Sequence, residues 1–241
     1  MDVLTDRVKR LFNENHRAYG TRRIKAQCAR EGHCISRRRI ARIMKQEGLV
    51  PCYTKPHYKL PLTSCNEATI ENIVDREFEG REKSEVMVSD LTYVQVGNRW
   101  HYLCTLLDLH NREIIGYSVG KQKSAELVER AFASVKRNLK SIAIFHTDRG
   151  KEFDNQAIEG ILDTFKRQRF LSHKGTPYDK AVAEATYKTI KTEFVYQHEF
   201  ASLEELTAKW KAFVWWYNHI RLHSTLGYLP PMEYLSSKVS L

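Results

Sequence analysis

The positive charge of this chain is confined to its first quarter, and that segregation limits what the chain can fold into. Residues 1–60 hold 15 Lys/Arg against 5 Asp/Glu, a net of +10, whereas residues 61–241 hold 24 of each. A uniformly basic, solubilising surface would not be so lopsided. A basic module joined to a charge-balanced domain would, and it implies an anionic partner for the module. With 241 residues, 42% of them hydrophobic, the chain can bury one substantial core and carry a small extra domain.

The apolar periods agree with this division. Val8, Leu11 and Phe12 fall at helical spacing over 2–15. Thr21 is placed to cap a second helix carrying Ile24 and Cys28 that stops near Gly32. Ser36 is placed to cap a third, with Ile40, Ile43 and Met44 inward, that stops at Gly48. Three short helices over 1–50 resemble a helix-turn-helix domain. Arg37, Arg38, Arg39 and Arg42 then lie at the start of the third helix, where recognition helices meet base edges and phosphates. Residues 51–80 mix Pro51, Pro56 and Pro61 with polar residues and read as a linker.

From residue 85 the period changes. VMVSDLTYVQV and RWHYLCTLLDLH are strand-like runs joined by Gly97-Asn98, a two-residue hairpin signal, and EIIGYSVG follows. Ser124 precedes a helix with Val128, Ala131, Phe132, Val135 and Leu139 on one face. IAIFHTD is a short strand, a helix starts at Asn155, and a brief strand spans Arg169–Ser172. Thr176-Pro177 opens a further helix, with Pro at the first helical position. Ser202 and Glu205 form a capping box for a last helix with Leu206, Trp210, Phe213, Val214 and Tyr217 as its core stripe. The order β-β-β-α-β-α-β-α-α predicts an α/β domain over 81–241: an antiparallel meander, then parallel strands alternating with helices.

The five cysteines contain no CxxC pair and read as reduced thiols; Cys28, His33 and Cys34 have the spacing of no common zinc finger. The N-terminus lacks the apolar core of a signal peptide, and the longest apolar stretch, near Trp100–Leu107, is too short to span a bilayer. A soluble, cytoplasmic protein without a membrane partner is expected.

Three acids stand out in this frame. Asp90 lies inside the first strand-like run, Asp148 closes IAIFHTD, and Glu184 lies 35 intervening residues further on, within the helix after Pro177. Acids gathered in a fold repel one another unless a cation joins them. Three hard oxygen donors suit Mg²⁺ or Mn²⁺, and a pair of such ions is a device for in-line displacement at phosphorus. At about 100° per residue, Glu184, Lys188 and Lys191 share a helix face, so the lysines can meet phosphates beside the acid. Glu184–Lys188 is equally an ordinary surface pair when judged alone. Asp108 reads as a structural acid before a turn. His146 reads as core or as a hydrogen-bonding neighbour of the site. Asn218, Arg221 and His223 either brace the last helix or touch the partner.

In these contexts residues 85–235 resemble the retroviral-integrase-type (DDE) catalytic core of bacterial insertion-sequence transposases of the OrfB type. The strings that carry the resemblance are SDLTYV, LLDLHNREIIGYSVG, FHTDRGKEF, LSHKGTPYDKAVAEATYKTIKTEF and YNHIRLHSTLGYLPPMEY. RAYGTRRIKAQ resembles the helix-turn-helix segment ahead of that core. The resemblance implies an RNase H-like fold and Asp90, Asp148 and Glu184 as catalytic ligands of two Mg²⁺ or Mn²⁺ ions, with Lys191 and Lys188 on DNA. It implies cleavage of double-stranded DNA at element ends and strand transfer into target DNA by direct phosphoryl transfer. It also implies a homo-oligomer on DNA, association with the bacterial nucleoid, and an upstream-frame partner or fusion, since relatives have more sequence ahead of this start. The alternative is a truncated regulator that binds element ends without cutting.

Overall fold

The computed structural model describes residues 3–54, 86–137, 144–147, 159–160, 168–171 and 177–239. Three helices open the chain: α1 (Val3–Glu14), α2 (Thr21–Arg30) and α3 (Arg37–Gln46). Their apolar stripes are buried as the spacing predicts: Val8, Leu11 and Phe12; Ile24 and Cys28; Ile40, Ile43 and Met44. The Ser36 hydroxyl accepts the Arg39 N–H at 3.2 Å and caps α3. The cap of α2 differs from expectation. Gly20, with extended backbone, is the cap residue, and Thr21 is already helical.

Among the described residues, five strands form one sheet in the order β3-β2-β1-β4-β5. β1 (Val86–Val96), β2 (Arg99–Asp108) and β3 (Ile114–Gly120) make the expected antiparallel meander. Gly97, at φ +52°, supplies the positive φ that the two-residue hairpin loop needs. β4 (Ile144–Thr147) and β5 (Gln168–Leu171) run parallel to β1 and to each other. α4 (Ala125–Ala133) covers one face and buries Leu127, Val128, Ala131 and Phe132 against Met87, Leu91, Leu106 and Phe145. It sits so close to β3 that a side chain at Gly116 would come within 2.7 Å of the Ala131 carbonyl oxygen. α4 ends earlier than its apolar stripe suggests, and Val135 lies beyond it. The Ser134 hydroxyl at its end donates to the Ala131 carbonyl at 2.7 Å and accepts the Tyr117 N–H at 2.8 Å. Ser124 is the N-cap residue of α4 but makes no side-chain capping bond.

The other face of the sheet carries α5 (Pro177–Glu193) and α6 (Leu203–His219), followed by α7 (Pro231–Val239). Val88, Val94, Val96 and Leu103 meet Tyr187, Ile190, Phe194, Trp210 and Phe213 there. Half of the expected capping box of α6 is formed: Ser202 accepts the Glu205 N–H, while the Glu205 carboxylate accepts the N–H of Ala201, one residue before the cap. The apolar residues of α1–α3 belong to this same core. Tyr19 ties the two parts together by accepting the Leu222 N–H at 2.8 Å, and Arg30 pairs with Glu233 at 2.6 Å. The expected linker begins as a short 3-10 turn, Cys52–Thr54, that packs on the core with Cys52 buried. The rest of it, together with Cys65, Leu139 and the start of the helix expected from Asn155, lies outside the described residues. No helix of the described residues is long and apolar enough to cross a membrane.

Candidate active site

Alternation along β1 decides which way Asp90 faces. Val88, Val94 and Val96 belong to the core under α5, whereas Met87 and Leu91 belong to the core under α4. Asp90 falls on the even side, toward α5. It is half-buried, and one carboxylate oxygen accepts the Leu91 N–H at 2.8 Å. Its cross-strand partner is Thr105.

Tyr187 joins α5 to that level of the sheet. Its buried hydroxyl sits 3.3 Å from the Thr105 carbonyl oxygen and 3.5 Å from that of Val88. Glu184 is three residues earlier on the helix, about 60° around and about 4.5 Å along the axis. The turn that bears Glu184 is therefore anchored beside the strand pair that bears Asp90. Glu184 and Lys188 are exposed and Lys191 is half-buried. Asp148 lies outside the described residues. The pairing of β4 with β1 runs from Val86↔Ile144 to Val88↔His146, and β4 ends at Thr147. Arg37, Arg38, Arg39 and Arg42 are all exposed on α3; Arg38 and Arg42 fall opposite its buried stripe, and Arg37 and Arg39 flank it.

The same helix ends in a second, quite different acid, one that sequence reading passed over. Glu193 is fully buried. It accepts from Arg221 at 2.5 and 2.7 Å, from the Tyr53 hydroxyl at 2.6 Å and from Arg23 at 3.3 Å. Burial alone would raise its pKa; Arg221, Arg23 and Tyr53 together bring it below the usual carboxylate range. Burial and the adjacent negative charge push the Tyr53 hydroxyl up to about 12. His223 lies 3.1 Å from Arg221, and burial followed by that cation lowers its pKa well below the usual histidine value. Arg23 comes from α2, Tyr53 from the turn after α3, and Arg221 from the segment after α6. One carboxylate thus fastens the basic helices to the end of α5.

The remaining sequence candidates find structural places. Asp108 is fully buried and bonded to Arg137 at 3.0 Å and to the His110 N–H at 2.9 Å. Asn218 accepts from the Ile114 N–H and donates to its carbonyl, in the manner of a neighbouring strand. Arg221 and His223 brace the fold. Trp210, Trp216 and Tyr217 are core, while Trp215 is exposed and stacked on His219. The side chain of His146 is outside the described residues.

Asp90 and Glu184 offer only carboxylate oxygens on a face that solvent reaches, a donor chemistry that fits a hard divalent cation. Among the described residues no group of three His, Cys, Asp or Glu side chains forms a metal cage, and Asp148 is not among those residues.

Comparison with known proteins identifies the domains. Family models described as integrase core domain match residues 80–177 and 168–231, and one described as HTH-like domain matches residues 2–57. The chain belongs to the integrase core domain family and carries an HTH-like domain ahead of that core. Within it, the chain groups with insertion-sequence transposases. It is 28% identical over 236 residues to the transposase for insertion sequence element IS904 of Lactococcus lactis subsp. lactis (strain IL1403), covering 97% of this chain and 93% of the relative. It is 29% identical over 230 residues to the putative transposase InsK for IS150 of Escherichia coli (strain K12), covering 95% and 81%. Among solved structures, the catalytic core domain of BIV integrase superposes with a TM-score of 0.50 at 17% identity, over 65% of this chain and 97% of that one. A simian T-cell lymphotropic virus intasome structure gives 0.51 at 13% identity, over 95% and 73%. These likenesses establish the RNase H-like fold that the sequence resemblance implied.

Proposed function

We propose that the chain is a DNA transposase in which Asp90, Asp148 and Glu184 are the catalytic carboxylates, and that it cleaves at element ends and joins them to target DNA. The observation that carries the reading is the anchoring of α5 through Tyr187 to the carbonyl of Thr105, the cross-strand partner of Asp90. Tyr187 is one helical turn from Glu184, which supports reading Glu184 and Asp90 as parts of one site in a chain of the integrase core family. Asp90, Asp148 and Glu184 would hold Mg²⁺ or Mn²⁺, two ions in the fullest form of the site, which when bound supply charge neutralisation at the phosphate under attack.

The chain's own residues do the rest. The Leu91 N–H fixes the Asp90 carboxylate on its rigid strand. Lys188 and Lys191, on the face of Glu184, take the DNA phosphates flanking the scissile bond. The exposed arginines of α3 hold duplex DNA away from the cut, as the start of a recognition helix does. Water attacks the phosphorus and the bond to the 3′ oxygen breaks; the freed 3′-hydroxyl then attacks a target phosphodiester, loses its proton to solvent and displaces the target's own 3′ oxygen, which leaves as a hydroxyl. No covalent bond to the protein forms. Two DNA ends must be joined together, so a homo-oligomer on DNA is the acting form, with an upstream-frame partner or fusion as its companion in recognition.

The test is to incubate the purified chain with the DNA flanking its own gene and Mn²⁺, then sequence nicks and joins. Nicks at defined ends followed by joined products, both abolished by a chelator, are expected. Tight binding to those ends with neither nicks nor joins would replace the reading with the truncated regulator.

A further inference from the structure

The hairpin of β1 and β2 and the segment that follows α5 enclose a groove of about 690 Å³ that the catalytic scheme does not use. Tyr93, Trp100 and Tyr196 line it, each more than half exposed, at 51%, 60% and 53%. Large aromatic rings at such exposure run against the usual burial of Trp and Tyr bodies, even where a hydroxyl or ring N–H is left in water. Gln95, cross-strand from Trp100, adds an amide that can donate and accept. The rings belong to a built wall: Tyr93 packs on Tyr102 with centroids 5.2 Å apart, and Phe200 at the groove floor accepts the Gly97 N–H on its carbonyl at 2.9 Å.

Two features decide what such a groove takes. Lys191 of α5 lines it, whereas Tyr93, Gln95 and Trp100 lie on the α4 side of the sheet by the alternation that turns Asp90 toward α5. Glu199 also lines it, so the groove is not a phosphate site. Aromatic faces, one amide, a single cation from α5 and a carboxylate opposing a phosphate suit a flat, neutral, hydrogen-bonding group. The volume falls in the range of pockets that enclose small-molecule-sized groups. Glu184 to Lys191 spans about 10.5 Å of helix, or about three stacked nucleotides along one strand.

We propose that this groove is a stacking site for an unpaired nucleobase about three positions from the reacting phosphodiester, received mainly on Trp100 with Tyr93 and Tyr196 as its other walls. The inference rests on the reading of the Glu184–Lys191 face as a DNA face. A base inside a duplex is already stacked and cannot enter; a frayed or overhanging one can. The groove would favour DNA ends that open over closed duplex, which is a selectivity that phosphate contacts cannot provide.

The test measures binding in EDTA, so that cleavage plays no part. The probes are a blunt duplex and the same duplex with about three unpaired nucleotides at one 5′ end, one of them 2-aminopurine. The wild type is expected to bind the overhang duplex about tenfold more tightly than the blunt one and to quench the 2-aminopurine. Trp100→Ala should lose both the preference and the quenching while binding the blunt duplex as before, and Tyr196→Ala should lose part of each. Full preference and quenching in Trp100→Ala would overturn the groove, as would equal binding of the two probes by the wild type. Failure to bind either duplex would instead overturn the DNA reading beneath it.

Discussion

Glu184 and Glu193 are nine residues apart on one helix, and their surroundings have little in common. Glu184 is exposed, on the face shared with Lys188 and Lys191 and over the strand that bears Asp90. Glu193 is sealed among Arg221, Arg23 and Tyr53, with its oxygens satisfied by side chains from three other parts of the chain. A carboxylate sealed among arginines is out of reach of a metal ion, whereas one on the solvent side of the helix can be reached. The comparison also shows how α5 does two jobs: its C-terminal end fixes the helix to the basic module, and the preceding turns then have a defined position over β1.

The largest effect expected from breaking this contrast is on chemistry. Asp90→Asn removes one charge from the proposed metal site. Joined product should fall on the order of a thousandfold or more, the loss of several kcal/mol of transition-state stabilisation. DNA binding and urea unfolding should stay as in wild type. Product quantified by sequencing, beside a gel-shift titration, checks both halves.

The buried end responds to acid in a predictable direction. His223 has its folded pKa lowered well below 6.5, so below that pH the unfolded chain takes up a proton that the native chain refuses. Stability is then lost as pH falls below about 6.5. Glu193, whose folded pKa is depressed below 4.5, adds stability that is present above that value and is lost as pH falls through the folded pKa. Urea midpoints measured from pH 7.5 down to 4.5 should fall steadily, and His223→Gln should flatten the upper part of that fall.

Two smaller effects sharpen the picture. Tyr187→Phe removes one buried hydroxyl that bridges to carbonyls of β1 and β2. It should cost about 1 kcal/mol of stability and reduce joining severalfold without changing duplex affinity. Equal activity in Tyr187→Phe would mean that α5 is held over Asp90 by packing alone. Arg38→Ala with Arg42→Ala should lower the dependence of log affinity on log salt by about 0.9 per lost phosphate contact. An unchanged slope in the double variant would move the basic module's DNA contacts off α3.

Most of the architecture could be read from the sequence because it rests on local rules. The hairpin at Gly97-Asn98, the Ser36 cap, the Pro177 start of α5 and the Ser202 cap of α6 are each written within a few residues. Their periods of about 3.6 and 2 settled which faces go inward. Asp108 and the Trp210 stripe were legible as structural for the same reason. Glu193 was not. In sequence it is another acid in a charged helix, two residues after Lys191. Its partners Arg23 and Arg221 are 170 and 28 residues away, and nothing short of the folded core brings them together. The strings RAYGTRRIKAQ and YNHIRLH contain those two arginines, so the signal was present, but it marked segments without saying that they meet. Tyr187 escaped for a related reason, because an i+3 tyrosine on α5 is core or surface until the sheet beneath is known. The absent cap bond at Thr21 shows the limit of local rules, since a Gly one residue earlier took the extended backbone that a cap requires.

The most direct measurement compares Glu184→Gln with Glu193→Gln, each tested for urea unfolding and for Mn²⁺-dependent joining of the flanking DNA. Glu184→Gln should unfold within about 0.5 kcal/mol of wild type and form no joined product. Glu193→Gln leaves Arg221 buried without its counter-charge and should lose about 3–5 kcal/mol of stability. Wild-type levels of joining by Glu184→Gln would contradict the account, because the exposed acid on α5 would then have no part in the chemistry.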